Sequence, residues 1–173
     1  MGGLERQDLK PFSAREVSDL IRPRLAEAYG SPTRHEGTAL SPERWLDTLA
    51  EAIHNELDCV SDAVDSARFA FVDEVIQGSD ALDALNQGGA AEVLRAFCDG
   101  WASLPEYDYD TADTFFRALR RQFKEAQGLS GVQVMQPIRA ALTGSLEGPC
   151  LVVVSVLLGK DRCLERIRAA LRT

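Results

Sequence analysis

The chain is poor in the residues on which most enzyme chemistry depends. Its 173 residues include two histidines, His35 and His54, and four cysteines. Cys59, Cys98, Cys150 and Cys163 are 39, 52 and 13 positions apart, so no pair has the short spacing of a zinc knuckle. Each lies among apolar or helical neighbours, which predicts four reduced, buried thiols. A zinc site would need scattered ligands, and a Cys–His catalytic pair has no local support. A phosphate-cradling loop is missing too: Gly88-Gly89 opens a helix-like segment, but no Lys-Ser/Thr follows it. The expectation is a chain with no catalytic residue, no metal and no cofactor.

Long apolar runs are also lacking. The longest, Leu151 to Leu158, has eight residues and contains Ser155. A bilayer span needs about 20. Met1 to Lys10 carries Glu5, Arg6, Asp8 and Lys10 with no apolar stretch behind them, unlike a secretory signal. The chain therefore reads as soluble and cytoplasmic, without a membrane partner. Seven prolines and thirteen glycines, with no low-complexity run, exclude collagen-like and linker-like sequences. What remains, 45% apolar and 27% charged, suits one ordinary domain or two small subdomains with a proper core.

Charge is short of one sign. Lys plus Arg total 19 against 27 Asp plus Glu, a net of −8. That balance excludes promiscuous, charge-driven binding to nucleic acid, and no DNA partner is expected. The deficit is uneven. Residues 1–114 hold 9 basic and 23 acidic side chains, a net of −14, whereas 115–173 hold 10 and 4, a net of +6. Such asymmetry fits a polyanion partner at the basic end, and on charge alone it fits a solvated basic helix equally well.

Apolar spacing is helical almost throughout. Ser13 caps a segment with Val17, Leu20, Ile21 and Leu25 on one face, which Pro23 bends or ends. Gly30-Ser31-Pro32 breaks into a polar loop, and Ser41-Pro42 pairs a cap with a first-turn proline. Ser61 to Phe71, a short piece at Ala81 to Leu85, and Ala90 to Leu104 continue the pattern until Pro105. Asp110 is the expected cap of Thr111 to Ala126, with Phe115, Leu119 and Phe123 as its apolar stripe. Further on, Pro137 starts a helix that Gly144 ends, Pro149 starts another that Gly159 ends, and Asp161 begins the last. Leu151-Val152-Val153-Val154 has strand-like content, but its punctuation and the lack of a pairing strand favour helix. The fold class is all-α, with seven to nine helices. Gly128 to Gly131 is the candidate boundary between subdomains at 1–127 and 128–173.

The last 46 residues carry a resemblance. Gly128-Leu129-Ser130-Gly131, Met135-Gln136-Pro137-Ile138-Arg139-Ala140-Ala141-Leu142-Thr143-Gly144, Glu147-Gly148-Pro149 and Leu157-Leu158-Gly159-Lys160-Asp161-Arg162 follow in order. Together they resemble the anticodon-binding domain of bacterial glutamyl-tRNA synthetases. Weaker similarity runs backward through Ala91-Glu92-Val93-Leu94, the Ser61 to Phe71 helix with its terminal aromatics, and Leu20-Ile21-Arg22-Pro23. The resemblance implies a two-part helical cage that grips an anticodon loop: a stem-contacting segment with a first anticodon-binding subdomain, then a second. It implies glutamate tRNA as partner and also allows a separate synthetase catalytic half or another protein.

By the same resemblance, Arg139 is the leading candidate to stack on or hydrogen-bond to an anticodon base, since a planar guanidinium does both. Gly148, Pro149, Leu151 and Val152 fall where the family presents backbone and small apolar groups to the loop, with Gln136 and Thr143 as weaker candidates. Arg117, Arg120, Arg121 and Lys124 form a basic helix face that suits phosphates, although a merely solvated face fits them as well. The chain departs from the family at Glu56-Leu57-Asp58-Cys59-Val60, where relatives commonly carry two cations. First-base recognition is therefore lost or has moved to Arg68 or Arg44. Gly148 stands where many relatives keep a polar residue.

The family's nucleotide-binding catalytic half needs roughly two hundred residues of strands and crossovers, which have no room here. Ser31 to Ala39 echoes its His-x-Gly-Thr-Ala signature but follows a helix, not a strand, and the only lysines are Lys10, Lys124 and Lys160. The expected function is tRNA recognition without aminoacylation. The alternative is a stand-alone paralogue that has exchanged anticodon reading for protein interaction or regulation.

Overall fold

The computed structural model describes residues 9–172. Every regular element among them is helical, so the fold is all-α. Nine α-helices follow in chain order: α1 Ala14–Tyr29, α2 Pro42–Ile53, α3 Ala63–Ser66, α4 Arg68–Phe71, α5 Ser79–Leu85, α6 Ala90–Trp101, α7 Tyr109–Gln127, α8 Gly131–Thr143 and α9 Leu151–Leu171. Short 3-10 turns lie at His54–Glu56 and Val60–Asp62.

The chain divides into two compact units. The first contains residues up to Glu36 with Leu40–Val72, and the second contains Gly37–Ala39 with everything from Asp73 onward. The expected boundary at 127/128 lies inside the second unit. Gly128 there is simply a left-handed helix end (φ 67°) between α7 and α8, which pack on each other. Helix packing sets the division, and composition along the chain does not report it.

In the first unit α1 starts at Ser13 with a reciprocal capping box, the Ser13 hydroxyl accepting from the Glu16 N–H while the Glu16 carboxylate accepts from the Ser13 N–H. Pro23 sits inside α1, which runs on to a left-handed Gly30. The Val17, Ile21 and Leu25 face packs on Trp45, Leu46, Leu49 and Ile53 of α2, all fully buried. Ser18, also fully buried, ties the pair together by donating to Asp47 Oδ1 at 2.7 Å. The family-like aromatics close this unit: Phe71 stacks on Tyr29 at 4.5 Å and meets the edge of Trp45 at 5.3 Å. The expected single helix over Ser61 to Phe71 is broken at Ala67 into α3 and α4. The ATP-like string Ser31 to Ala39 lies in the irregular connection between α1 and α2.

In the second unit α8 packs against α5, α6, α7 and α9. An aromatic cluster of Phe97, Trp101, Phe115 and Phe116 fills the joint between α6 and α7. Gly100 is required there, because a Cβ at that position would stand 2.5 Å from Phe115 Cε2. Asp108, not Asp110, caps α7 by accepting from the Thr111 N–H at 3.0 Å. The helix therefore starts two residues earlier, and its buried stripe is Ala112, Phe116, Leu119 and Phe123.

Pro137 is likewise interior and not initial. Ser130 caps α8 in a second capping box with Gln133, so the helix begins six residues before the proline. The Leu151 to Leu158 run is helix, as its punctuation indicates, and Gly159 (φ 78°, ψ −175°) interrupts α9 where an end was expected. The cysteines differ from expectation. All four are free, but only Cys163 is buried, Cys59 and Cys98 are half-buried and Cys150 is exposed. Burial pushes the Cys163 thiol up to about 12.

Candidate anticodon interface

The site expected from the sequence centres on the end of α8 and the turn into α9. Gln136, Arg139 and Thr143 are spaced i, i+3 and i+7, so they share one face of α8, and all three are partly buried. Thr143 Oγ1 donates to the Arg139 carbonyl at 2.9 Å and accepts from the Ser145 N–H at 3.2 Å, which fixes how the chain leaves the helix. Gly144 then turns it with φ 77°. A Cβ there would run into the Ile76 carbonyl, so the turn after α8 is locked against the segment entering α5.

Arg139 reaches back across this turn. Its Nη1 donates to the Pro149 carbonyl at 2.7 Å, which joins α8 to the start of α9. This bond fixes the guanidinium beside the Gly148-Pro149-Cys150 turn. Gly148 (φ 135°) and Cys150 are exposed and Pro149 is half-buried.

Leu151 and Val152 behave differently. Their side chains are buried, so what they offer a ligand is main chain alone. No side chain caps α9, and the first hydrogen bond in its ladder is Val154 N–H to Cys150 O. The N–H groups of Leu151, Val152 and Val153 therefore belong to the uncapped positive end of the helix dipole.

Two further arginines, Arg162 and Arg166, donate to main chain at helix ends, a role that residue type alone does not reveal. Arg166, 5% exposed, donates to the Leu142 carbonyl at 2.7 Å near the end of α8. Arg162 donates to the carbonyls of Leu157 (2.9 Å) and Leu158 (3.2 Å), terminating the first half of α9. These bonds satisfy carbonyls that helix ends leave open. Arg139, Arg162 and Arg166, three of the ten basic residues after residue 114, thus donate to backbone carbonyls.

The expected phosphate-binding residues stand apart from this turn. Arg117, Arg120, Arg121 and Lys124 are all exposed on one face of α7. Arg117 is held by Asp113 at 3.0 Å. Arg120, Arg121 and Lys124, with Glu125 and Gly131, line a shallow groove where α7 meets the start of α8. Arg139 lies eight residues further along α8, about 12 Å at helical rise. The two groups are therefore joined by one helix and are not a single cluster. In the first unit, the anionic departure is exposed: Glu56 and Asp58 are at the surface, where Asp58 approaches Lys10 at 3.9 Å. Arg44 and Arg68 are exposed there as well.

Among the described residues no group of three or more His, Cys, Asp or Glu side chains is arranged to hold a metal ion. No helix among the described residues is long and apolar enough to cross a membrane.

The all-helical fold is shared with a known family. The family model described as "Anticodon binding domain" matches residues 10–171, and the chain belongs to that family. Among curated proteins it is 31% identical over 160 residues to the glutamate–tRNA ligase of Thermus thermophilus, covering 92% of this chain and 31% of the relative. With the Bacillus subtilis glutamate–tRNA ligase the identity is 27%, over 95% of this chain and 33% of the relative. The chain thus spans about a third of the relatives it matches. A crystal structure of a glutamate tRNA ligase from Elizabethkingia meningosepticum has the same fold, with a TM-score of 0.72 at 20% identity, over 95% of this chain and 32% of that one.

Proposed function

We propose that this chain recognises the anticodon arm of glutamate tRNA as the anticodon-binding part of a glutamyl-tRNA synthetase, and does not itself activate glutamate. The observation that carries the reading is the Arg139–Pro149 bond. It holds a planar cation at an exposed turn, beside an uncapped helix end, in the stretch that most resembles the family. A guanidinium positioned that way can stack on a base or donate to its edge. The Gly148, Pro149, Leu151 and Val152 main chain supplies neutral donors and acceptors, with Gln136 and Thr143 along the adjoining helix face. Arg120, Arg121 and Lys124 add sequence-independent attraction to phosphates.

Two substitutions separate these roles. Arg139→Ala should weaken binding of glutamate tRNA by about 1–3 kcal/mol, the range for losing a base stack or a good base contact. The exposed Arg120→Ala should cost less, act equally on tRNAs with different anticodons and reduce the salt dependence. If Arg139→Ala matches wild type in binding while remaining folded, Arg139 is purely architectural and the site assignment fails. The proposed lack of activation is checked by glutamate-dependent pyrophosphate exchange with ATP, for which no saturable activity is expected.

A further inference from the structure

A second concavity, with different chemistry, lies in the second unit away from the Arg139 turn. It is a cavity of about 560 Å³ between the segment entering α5, α5 itself and the last two turns of α9. That volume is in the range of functional pockets. Half of its lining residues are apolar, with Val75, Leu82, Leu85 and Ala169 among them. Leu82 is 45% exposed, and Ile76, between the lining residues Val75 and Gln77, is 78% exposed. A contiguous apolar patch rimmed by polar residues is a mark of an interaction surface.

The charge around this cavity is acidic. Asp73, Glu74 and Glu165 line it, and α5 adds Asp80 and Asp83, both exposed. Of the two cations present, Arg166 is buried and directed at the Leu142 carbonyl, which leaves Arg172 at the surface. Such a rim repels phosphates, so RNA does not suit it.

We propose that this groove docks a basic amphipathic helix of a partner protein. The apolar residues of that helix would fill the space beside Leu82, Leu85 and Ala169. Its flanking Lys or Arg residues would meet Glu74 and Glu165, with Asp80 and Asp83 of α5 beside them. This is helix-in-groove recognition, in which anchors recur at i, i+3 or i+4, and i+7. The surface is independent of the RNA reading: it uses none of the residues assigned to the anticodon or to phosphates.

The test is a display selection against the full chain with a library of helical peptides about four turns long, followed by anisotropy titration of the enriched sequences. Enriched peptides should share helically spaced apolar anchors flanked by Lys or Arg. Their affinity should fall about tenfold or more with Leu82→Asp and, independently, with Ala169→Glu. Both positions are exposed, and circular dichroism confirms that each variant is folded. Glutamate tRNA should not displace the peptides. The proposal is overturned if the selection yields no such sequences, if they bind both variants as tightly as wild type, or if tRNA competes them away.

Discussion

Replacing Gly159 by alanine attacks the point on which the last helix turns. The residue adopts φ 78° and ψ −175°, a region essentially restricted to glycine, and forcing another residue into it costs about 1–3 kcal/mol. Space adds a second penalty. A Cβ at this position would run into the Gly37 carbonyl oxygen, with Gly37 C at 3.1 Å and Thr38 Cα at 3.3 Å. These are backbone atoms and cannot swing aside, so an overpacking cost of about 1–3 kcal/mol applies. The two together give about 4 kcal/mol. For a chain of this length that lowers Tm by roughly 8–16 °C, at about 2–4 °C per kcal/mol. The matched control is Gly128→Ala, where φ is 67° but no atom lies within 4 Å. Only the backbone cost remains there, about 1 kcal/mol. Urea and thermal unfolding followed by far-UV circular dichroism would compare them. Equal losses in the two variants would refute the close approach of the 37–38 segment to the kink in α9.

Other consequences follow from the same packing. Ser130→Ala should destabilise by about 1 kcal/mol in urea titrations through loss of the capping box of α8. At mildly alkaline pH in the native protein, Cys150 should be alkylated readily and Cys163 should stay unmodified until unfolding, as peptide mass mapping would show. The Cys163 thiol is raised by burial, so the folded state holds its proton where the unfolded chain has lost it. That part of the stability is complete below the ordinary thiol range and is lost as pH rises toward about 12, and Cys163→Ala should flatten the alkaline decline.

Local chemistry in the sequence located most element ends. Ser13, Ser41-Pro42, Gly30, Gly144 and Gly159 each do in the fold what their residue types require, because caps, first-turn prolines and left-handed glycines act within a few residues. Pro137 misled for the opposite reason. A proline at a helix start and one inside a helix look alike until the neighbours are known, and here Ser130 with Gln133 had already started α8. Asp108 and Asp110 are both competent caps, and which one acts depends on the register that buries Phe116 in preference to Phe115.

The site was legible as a string and not as geometry. The hydrogen bonds that link Thr143 to Arg139 and Arg139 to Pro149 are not visible in the string, and the burial of Leu151 and Val152 comes from the helix face that they occupy. Nor does sequence separate a cation that reaches solvent from one that ties down a carbonyl. Arg120 and Arg166 are the same residue type with opposite surroundings, one exposed on α7 and the other buried against the end of α8. The sign change in charge near residue 114 falls within α7 and marks no structural division.

The central claim, anticodon recognition by the turn around Arg139, is tested most directly by titrating the wild-type chain with glutamate tRNA and with the same tRNA carrying a swapped anticodon. Both affinities should fall as salt rises, because phosphate contacts contribute to each. At any one salt concentration the matched tRNA should bind more tightly, by about 1–3 kcal/mol for each base that is read. Equal affinity for the two tRNAs would contradict the account and favour a helical module whose partner is a protein.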